Sequence, residues 1–395
     1  MFSSLKRKEI VVSKPFELVA YHFIYKKGLC IFEVNQQWRI ISWWNESETT
    51  NDIPSSNFIA QYHDLPFCGG WVGWIQYNGT PFFWKTDGAI VYHIPTQKYT
   101  VVGSSSFLAE ALYGINHHHT AIPKRQPAIV PTVTKEDQLW FCSQITKLRE
   151  AIHQGMVYQA NLSRRSKAFT ITSPLSHYLH IQKNNPARFG AYLQFDNIQV
   201  ISNSPELFVH STKCNPVIAH SQPIKGTAKE KNREQLWSDT KERAELTMIA
   251  DLVRNDLGKI AQNGTVFTKA RALRHCGDLL HAEQSIYAHL QSQITVKKLL
   301  QAMFPAGSIT GAPKKSAMEY IALLERHERK LYTGAIGWIS SIKHCHFTVA
   351  IRTLYIENQR THLHVGCGIV YDSEPQKEWD ESIAKGNAIS KLLFT

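Results

Sequence analysis

The sequence predicts an α+β fold, and three observations point there. Runs of alternating or continuous apolar residues bounded by turn residues read as short strands, longer segments with helical spacing interrupt them, and the two kinds do not alternate in a regular strand–helix–strand order. With 43% hydrophobic residues, ten Trp and fifteen Tyr, the 395-residue chain has apolar surface enough for a large core and little room for long disorder. One large domain or two tightly fused ones are expected.

In chain order, Phe16 to about Val102 is β-rich, with strands at Gly28–Val34, Trp38–Trp43 and Gly88–His93. Gly69 to Gly79 places glycines where backbones need close approach. The stretch from His117 to Val133, with three prolines and little periodicity, marks a boundary, so residues 1–125 form a β-rich amino-terminal subdomain and 126–395 a second unit. Lys135 to Gly155 is a helix whose apolar stripe is Leu139, Ile145, Leu148 and Ile152, with Phe141 off it and Gly155 as the stop. Strands follow at Phe189–Phe195 and Gln199–Ser202, then a helix from about Asp239 to Leu257 with Gly258 beyond it. Thr348–Ile356 and Leu363–Tyr371 read as paired strands, and Pro375–Leu393 as a closing helix.

Several function classes are disfavoured. No apolar run reaches the roughly 18 residues of a membrane span, and Met1 to Lys8 has no apolar stretch behind its basic residues, so a soluble, cytoplasmic protein is expected. The seven cysteines (Cys30, Cys68, Cys142, Cys214, Cys276, Cys345, Cys367) are scattered and form no C-x-x-C pair, which argues against a disulfide framework or a structural zinc site. His117-His118-His119 and His344-Cys345-His346 are read as loop or strand polarity, because neighbouring residues project in different directions. The net charge of +12 is spread along the chain; it suits a pocket for a small dicarboxylate, an acidic partner, or a non-catalytic basic binding protein.

Two carboxylate pairs stand out. Glu242 and Glu245 are three residues apart on one predicted helix, and Glu378 and Glu381 repeat that spacing on the last, so each pair shares a helix face. A single such pair is usually a solvated acidic face, whereas two facing pairs would make an oxygen-rich site suited to Mg²⁺. Phe304 to Lys314, rich in small residues, precedes a helix from about Lys315 to Glu325 and offers a general anion seat, although it lacks the spacing of a phosphate-binding loop. Gly366-Cys367-Gly368 could hold a carboxylate by backbone amides or be a tight bend. Lys225, in Pro223-Ile224-Lys225-Gly226-Thr227, is a candidate nucleophile only if its surroundings disfavour its charge, since most lysines lie on the surface.

Taken together, Tyr158 to Arg164, Ser204-Pro205-Glu206, Pro223 to Thr227, Asp251 to Gly258, Phe304 to Lys314, Ile351-Arg352-Thr353 and Gly366 to Lys385 resemble the chorismate-utilising family that includes anthranilate, aminodeoxychorismate and isochorismate synthases. The resemblance is strong from about Lys135 to Leu393 and looser before it, and it makes the second unit a chorismate-binding catalytic domain. It implies a large layered antiparallel-sheet body with surrounding helices and a central site. It further implies that Glu245 and Glu381 ligate Mg²⁺ with Glu242 and Glu378 in support, and that the ion grips the ring carboxylate of chorismate. Arg352, Tyr332 and the amides around Gly366 and Gly368 would hold the enolpyruvyl carboxylate, with Lys385 adding positive charge. Thr310 and Gly311 would border the ring, His281 would sit beside the departing or arriving group, and Glu206 would be the general acid for the 4-hydroxyl.

Two positions bear on the reaction. Members that add water carry a lysine where this chain has Gln159, and anthranilate synthases usually have alanine where it has Lys225. The lysine form resembles the aminodeoxychorismate synthases, with anthranilate synthesis as the alternative. No G-x-C-x-G elbow surrounds any of the cysteines, so ammonia would come from a separate glutamine amidotransferase subunit. The chain departs from the family pattern at Ala228-Lys229-Glu230, where Arg-Pro-Arg is usual, and at Ala282-Glu283-Gln284, where an apolar stretch and a serine are usual.

Overall fold

The computed structural model describes residues 5–10, 14–55, 62, 64–117, 121–126, 130–212 and 214–394. Among these, strands assemble into two large sheets and one small one, every pairing antiparallel. The eleven-stranded sheet runs from Lys6–Ile10 through Cys30–Val34, Phe189–Phe195, Ile198–Ser204, Thr353–Glu357 and Arg360–Ile369 to Gln159–Arg165 and Gly311–Ala312. The nine-stranded sheet has Leu207–Ser211, His344–Val349, Ala335–Ser341 and Gly70–Ile75 at its middle. Both sheets take strands from each side of residue 125.

Alternation along the strands builds the layers. Phe32, Val34, Ile40, Val91 and Leu193 from one sheet meet Val72, Trp74, Trp84, Ile336 and Trp338 from the other in an aromatic core between them. The intervening residues face outward: Ile31, Ile41, Tyr192 and Ile201 pack under the helices Phe16–His22, Ser105–Asn116 and Pro174–Asn184. Trp71, Phe83 and Phe347 pack under Thr240–Gly258 and Val296–Met303. At the far end of the larger sheet, Ala160, Leu162, Cys367 and Ile369 carry the helices Lys135–His153, Lys314–Leu324 and Pro375–Phe394. The result is helix, sheet, sheet, helix, the layered α+β body expected.

Three readings change. The segment after Phe16 opens with a helix, Phe16–His22, whose buried Phe16, Val19 and Ala20 show the helical spacing that its β-formers obscure. In Lys135–His153, Phe141 is fully buried while Leu139 is 61% exposed. The true stripe is therefore Phe141, Ile145, Leu148 and Ile152, stepping by four, three and four residues. The expected strand Thr348–Ile356 is two strands in two different sheets, His344–Val349 and Thr353–Glu357. The chain crosses between them at Arg352, whose φ of 51° is left-handed and incompatible with a continuous strand. His344 and His346 are buried strand residues, and His346 stacks on Trp338 at 4.5 Å. His118, His119 and residues 127–129 of the expected boundary lie outside the described residues.

Candidate active site

A third sheet of only three strands, Ile224–Lys229, Leu279–Glu283 and Ala272–Cys276, carries two of the candidate residues. Leu280 and Ala282 anchor one of its faces on Leu236 and Leu246 of the neighbouring helices. Lys225 reaches from its first strand to Glu245, with Nζ 3.3 Å from Oε2, and both side chains are largely buried. His281, on the middle strand, sits opposite Thr227 and is buried. Its Nδ1 lies 2.8 Å from Thr227 Oγ1, and Arg352 donates to Nε2 at 3.1 Å. Because a guanidinium can only donate, Nε2 is the acceptor and Nδ1 carries the proton. Burial, with the Arg352 charge beside it, pushes the imidazole down to about 3, so the ring is neutral. The same burial lowers Arg352, which Asn203 also holds through its left-handed backbone carbonyl.

The acidic helices approach each other. Glu242, on Thr240–Gly258, is raised by burial and then by the charges of Glu245 and, further off, Glu381 on Pro375–Phe394. Glu378 is raised by burial and by Glu381, against a 2.7 Å hydrogen bond from Ser373. Glu381 pairs with Lys385 at 2.6 Å, and Lys385 Nζ also donates to Gly366 O at 3.0 Å. Ligand atoms of Glu378, Glu381 and Cys367 lie within 4.8 Å of one another. Burial raises the Cys367 thiol, whose Sγ contacts the Glu378 carbonyl at 3.2 Å, so it stays protonated and is no ligand for a hard ion. The remaining donors are carboxylate oxygens whose mutual repulsion a divalent cation would relieve, which fits Mg²⁺.

The floor beneath these helices is the pair of strands Gln159–Arg165 and Arg360–Ile369. Their register sets Gly366 opposite Ser163 and Gly368 opposite Asn161. A methyl group on Gly368 would stand 2.8 Å from Gln159 Nε2 and 3.0 Å from Lys225 Nζ, so Gln159, Lys225 and this glycine meet at one point. A methyl on Gly366 would stand 2.9 Å from Tyr332 Oη. Tyr332 is buried, which raises its hydroxyl, and it stacks on His364 at 5.1 Å. Gly311 pairs with Ala160 at φ 141°, and Thr310 beside it is fully buried, its hydroxyl bonded to Ala306 O at 2.9 Å.

Glu206, between the two large sheets' strands Ile198–Ser204 and Leu207–Ser211, is buried and pushed up to about 7 by that burial, against a 2.5 Å hydrogen bond from Ser308 and the charge of Lys225. A carboxyl in this state can carry a proton near neutral pH. Ser308 was not anticipated from the sequence; only its place in the small-residue segment hinted at a role. Nor was the ion pair of Arg329 with Glu325, both buried, which ties Asn161, Ser163, Ile309 and Thr333 together. Direct contacts thus join Lys225 to Glu245 and, with Gln159, to the Gly368 position, Lys385 to Glu381 and Gly366, Tyr332 to the Gly366 position, and His281 to Arg352, while Thr310 and Gly311 lie on the segment that pairs with the strand of Gln159.

A family model described as chorismate binding enzyme matches residues 20–391. Anthranilate synthase component 1 from Lactococcus lactis is 29% identical over 373 residues, covering 83% of this chain and 80% of that protein. Aminodeoxychorismate synthase component 1 from Bacillus subtilis is 34% identical over 262 residues, covering 66% of this chain but 55% of that protein. The crystal structure of anthranilate synthase component I from Streptococcus pneumoniae superposes with a TM-score of 0.77 at 26% identity, covering 92% of this chain and 90% of that one.

Proposed function

Because the chain belongs to the chorismate-binding enzyme family, we propose that it aminates chorismate to 4-amino-4-deoxychorismate, with ammonia supplied by a separate glutamine amidotransferase subunit. The observation that carries this reading is the place of Lys225: its amine stands at Gly368 and Gln159, and beside Glu245. A lysine whose only role was structural would have no reason to reach past Glu245 to the glycine floor, where its charge also acts on Glu242 and Glu206.

In this reading Arg352, Tyr332 and the strand bearing Gly366 and Gly368 orient the enolpyruvyl carboxylate, with Lys385 contributing charge. Glu242, Glu245, Glu378 and Glu381 hold Mg²⁺, which when bound clamps the ring carboxylate and polarises it. Once the Lys225 ammonium has passed its proton to solvent or to a neighbouring carboxylate, its free amine bonds to ring position 2, the two ring double bonds each move one place toward position 4, and the 4-hydroxyl leaves as water with the proton of Glu206. Ammonia then bonds at position 4, the two double bonds shift back, and the lysine amine leaves from position 2. His281, with both nitrogens engaged, keeps Arg352 and Thr227 in place beside the group in transit. Thr310 and Gly311 border the ring.

The test is one assay: chorismate, Mg²⁺ and an ammonium salt, with a lyase that removes pyruvate added. It should yield 4-aminobenzoate. A second reading, anthranilate synthesis, is favoured by the name of the Lactococcus relative, which matches 83% of this chain against 66% for the Bacillus relative. 2-Aminobenzoate as the product would establish it and end the first.

A further inference from the structure

The strand Gln159–Arg165 carries a row of polar groups that the folded chain leaves without partners. Gln159, Asn161 and Ser163 are 1%, 8% and 2% exposed, yet Gln159 Oε1, Asn161 Nδ2 and Ser163 Oγ have no partner at hydrogen-bonding geometry. Leaving a buried donor or acceptor unmade costs its full desolvation, so three in a row on one strand call for an explanation.

Their direction supplies one. Ala160 and Leu162 alternate with them and pack into the helix-covered core, so the three polar side chains share the opposite face. On the paired strand, Cys367 and Ile369 join that same core, which turns Gly366 and Gly368 toward the polar row. Having no side chains, these glycines let polar tips instead of methyl groups close in on the row: Gln159 Nε2 and Lys225 Nζ at Gly368, and Tyr332 Oη at Gly366. Each stands within 3.0 Å of where a glycine methyl would be. Asn161's amide lies near enough to the Tyr332 hydroxyl to offset part of the effect of its burial.

The backbone of the row is held firmly. Ser163 N donates to Glu325 Oε1 at 2.7 Å, Asn161 N donates to Thr310 O at 2.9 Å, and Arg329 donates to Asn161 O. A strand fixed by a buried ion pair, with its side-chain tips unspent, is preorganised for a ligand.

We infer that Asn161 and Ser163 are substrate contacts, donating hydrogen bonds from Nδ2 and Oγ to the carboxylate of the substrate's side arm. This rests on the chain binding chorismate, not on which amine product it forms. A hydrogen bond to a charged group is worth about 1.5–3 kcal/mol, so Ser163→Ala and Asn161→Ala should each raise the KM for chorismate by about 10-fold or more and change kcat far less. Ser163→Ala should not lower the melting temperature of the free protein, because it deletes a group that has no partner there. Asn161→Asp should bind chorismate more weakly than Asn161→Ala, since it sets a second negative charge against the carboxylate.

The experiment measures melting with and without chorismate, together with steady-state kinetics of chorismate consumption. Variants that melt lower or fail to fold while any residual KM stays unchanged would show that the polar atoms serve the free fold, and the inference falls. Equal binding by Asn161→Asp and wild type would remove the carboxylate from this face and overturn it as well. A wild-type protein that chorismate does not stabilise defeats the functional reading itself, and this inference with it, whereas wild-type stabilisation with unaffected variants defeats the inference alone.

Discussion

The two walls of the proposed site satisfy their polar groups in opposite ways. On the helix wall the carboxylates already have cations: Glu245 has Lys225, and Glu381 has Lys385. On the strand wall the backbone is bonded at every turn while the tips of Gln159, Asn161 and Ser163 are left over. The Glu381 and Lys385 side chains are about half exposed, so that pair can exchange partners when a ligand arrives, with water to soften the change. Neutral groups buried under a sheet have no such freedom and must be set in place beforehand. The helix wall is built to re-pair and the strand wall to wait.

Replacing Lys225 tests the first half of that contrast most severely. Lys225→Ala removes both the internal counter-ion of Glu245 and the amine that enters the reaction, and should lower amination by at least ~10³-fold. Chorismate should still stabilise the variant against heat, because the strand wall is intact. Retained turnover would refute the covalent role. Next in size, Glu245→Ala or Glu381→Ala should cost about 100-fold or more in turnover and abolish the dependence on added Mg²⁺. Calorimetric titration with Mg²⁺ checks this without turnover, and an unchanged binding isotherm would move the metal elsewhere.

Glu206 belongs to neither wall and offers a pH test. Its folded value of about 7 lies above its ordinary 4.5, so the native state keeps a proton that the unfolded chain releases. Stability from this group is therefore fully present below about 4.5 and is lost as pH rises toward 7, a change on the order of 3 kcal/mol. Glu206→Gln, which cannot ionise, should flatten that part of the stability curve and melt higher than wild type at pH 8. In kinetics the proton donor is spent on the same limb: kcat/KM should fall as pH rises through about 7 in wild type, and the glutamine variant should lose about 100-fold in kcat together with that limb. A wild-type limb that survives in the variant would assign it to another group.

How much of this was readable beforehand depends on whether the signal was local. Strands Gly88–His93 and Phe189–Phe195 appear with the bounds their apolar runs and flanking turns imply. The acidic pairs were legible because three-residue spacing puts two side chains on one helix face whatever surrounds the helix. That the two helices approach each other was not, since spacing within a helix carries no information about its neighbour. The crossing at Arg352 was equally hidden: β-formers on both sides read as one strand, and only the need to pass from one sheet to the other forces the left-handed turn. Ser308 became visible only once the fold had brought it to Glu206, 102 positions away in the chain.

The helix Lys135–His153 gives the smallest effect and the cleanest contrast between local and tertiary signals. Leu139 and Phe141 are both large and apolar and lie two residues apart, so composition cannot rank them. The structure ranks them by the layer beneath: Phe141 meets Trp379 of the closing helix with ring centroids 6.0 Å apart, while Leu139 faces outward. Phe141→Ala should cost about 3–5 kcal/mol of stability and loosen the helix that carries Glu378 and Glu381, so Mg²⁺ affinity should weaken with it. Leu139→Ala should change stability by less than ~0.5 kcal/mol and leave chorismate consumption unaltered when ammonia is supplied as a salt. Chemical denaturation of the two variants side by side decides the matter. Equal losses would mean that Leu139 is covered in the working protein, and the wall it belongs to would have to be redrawn.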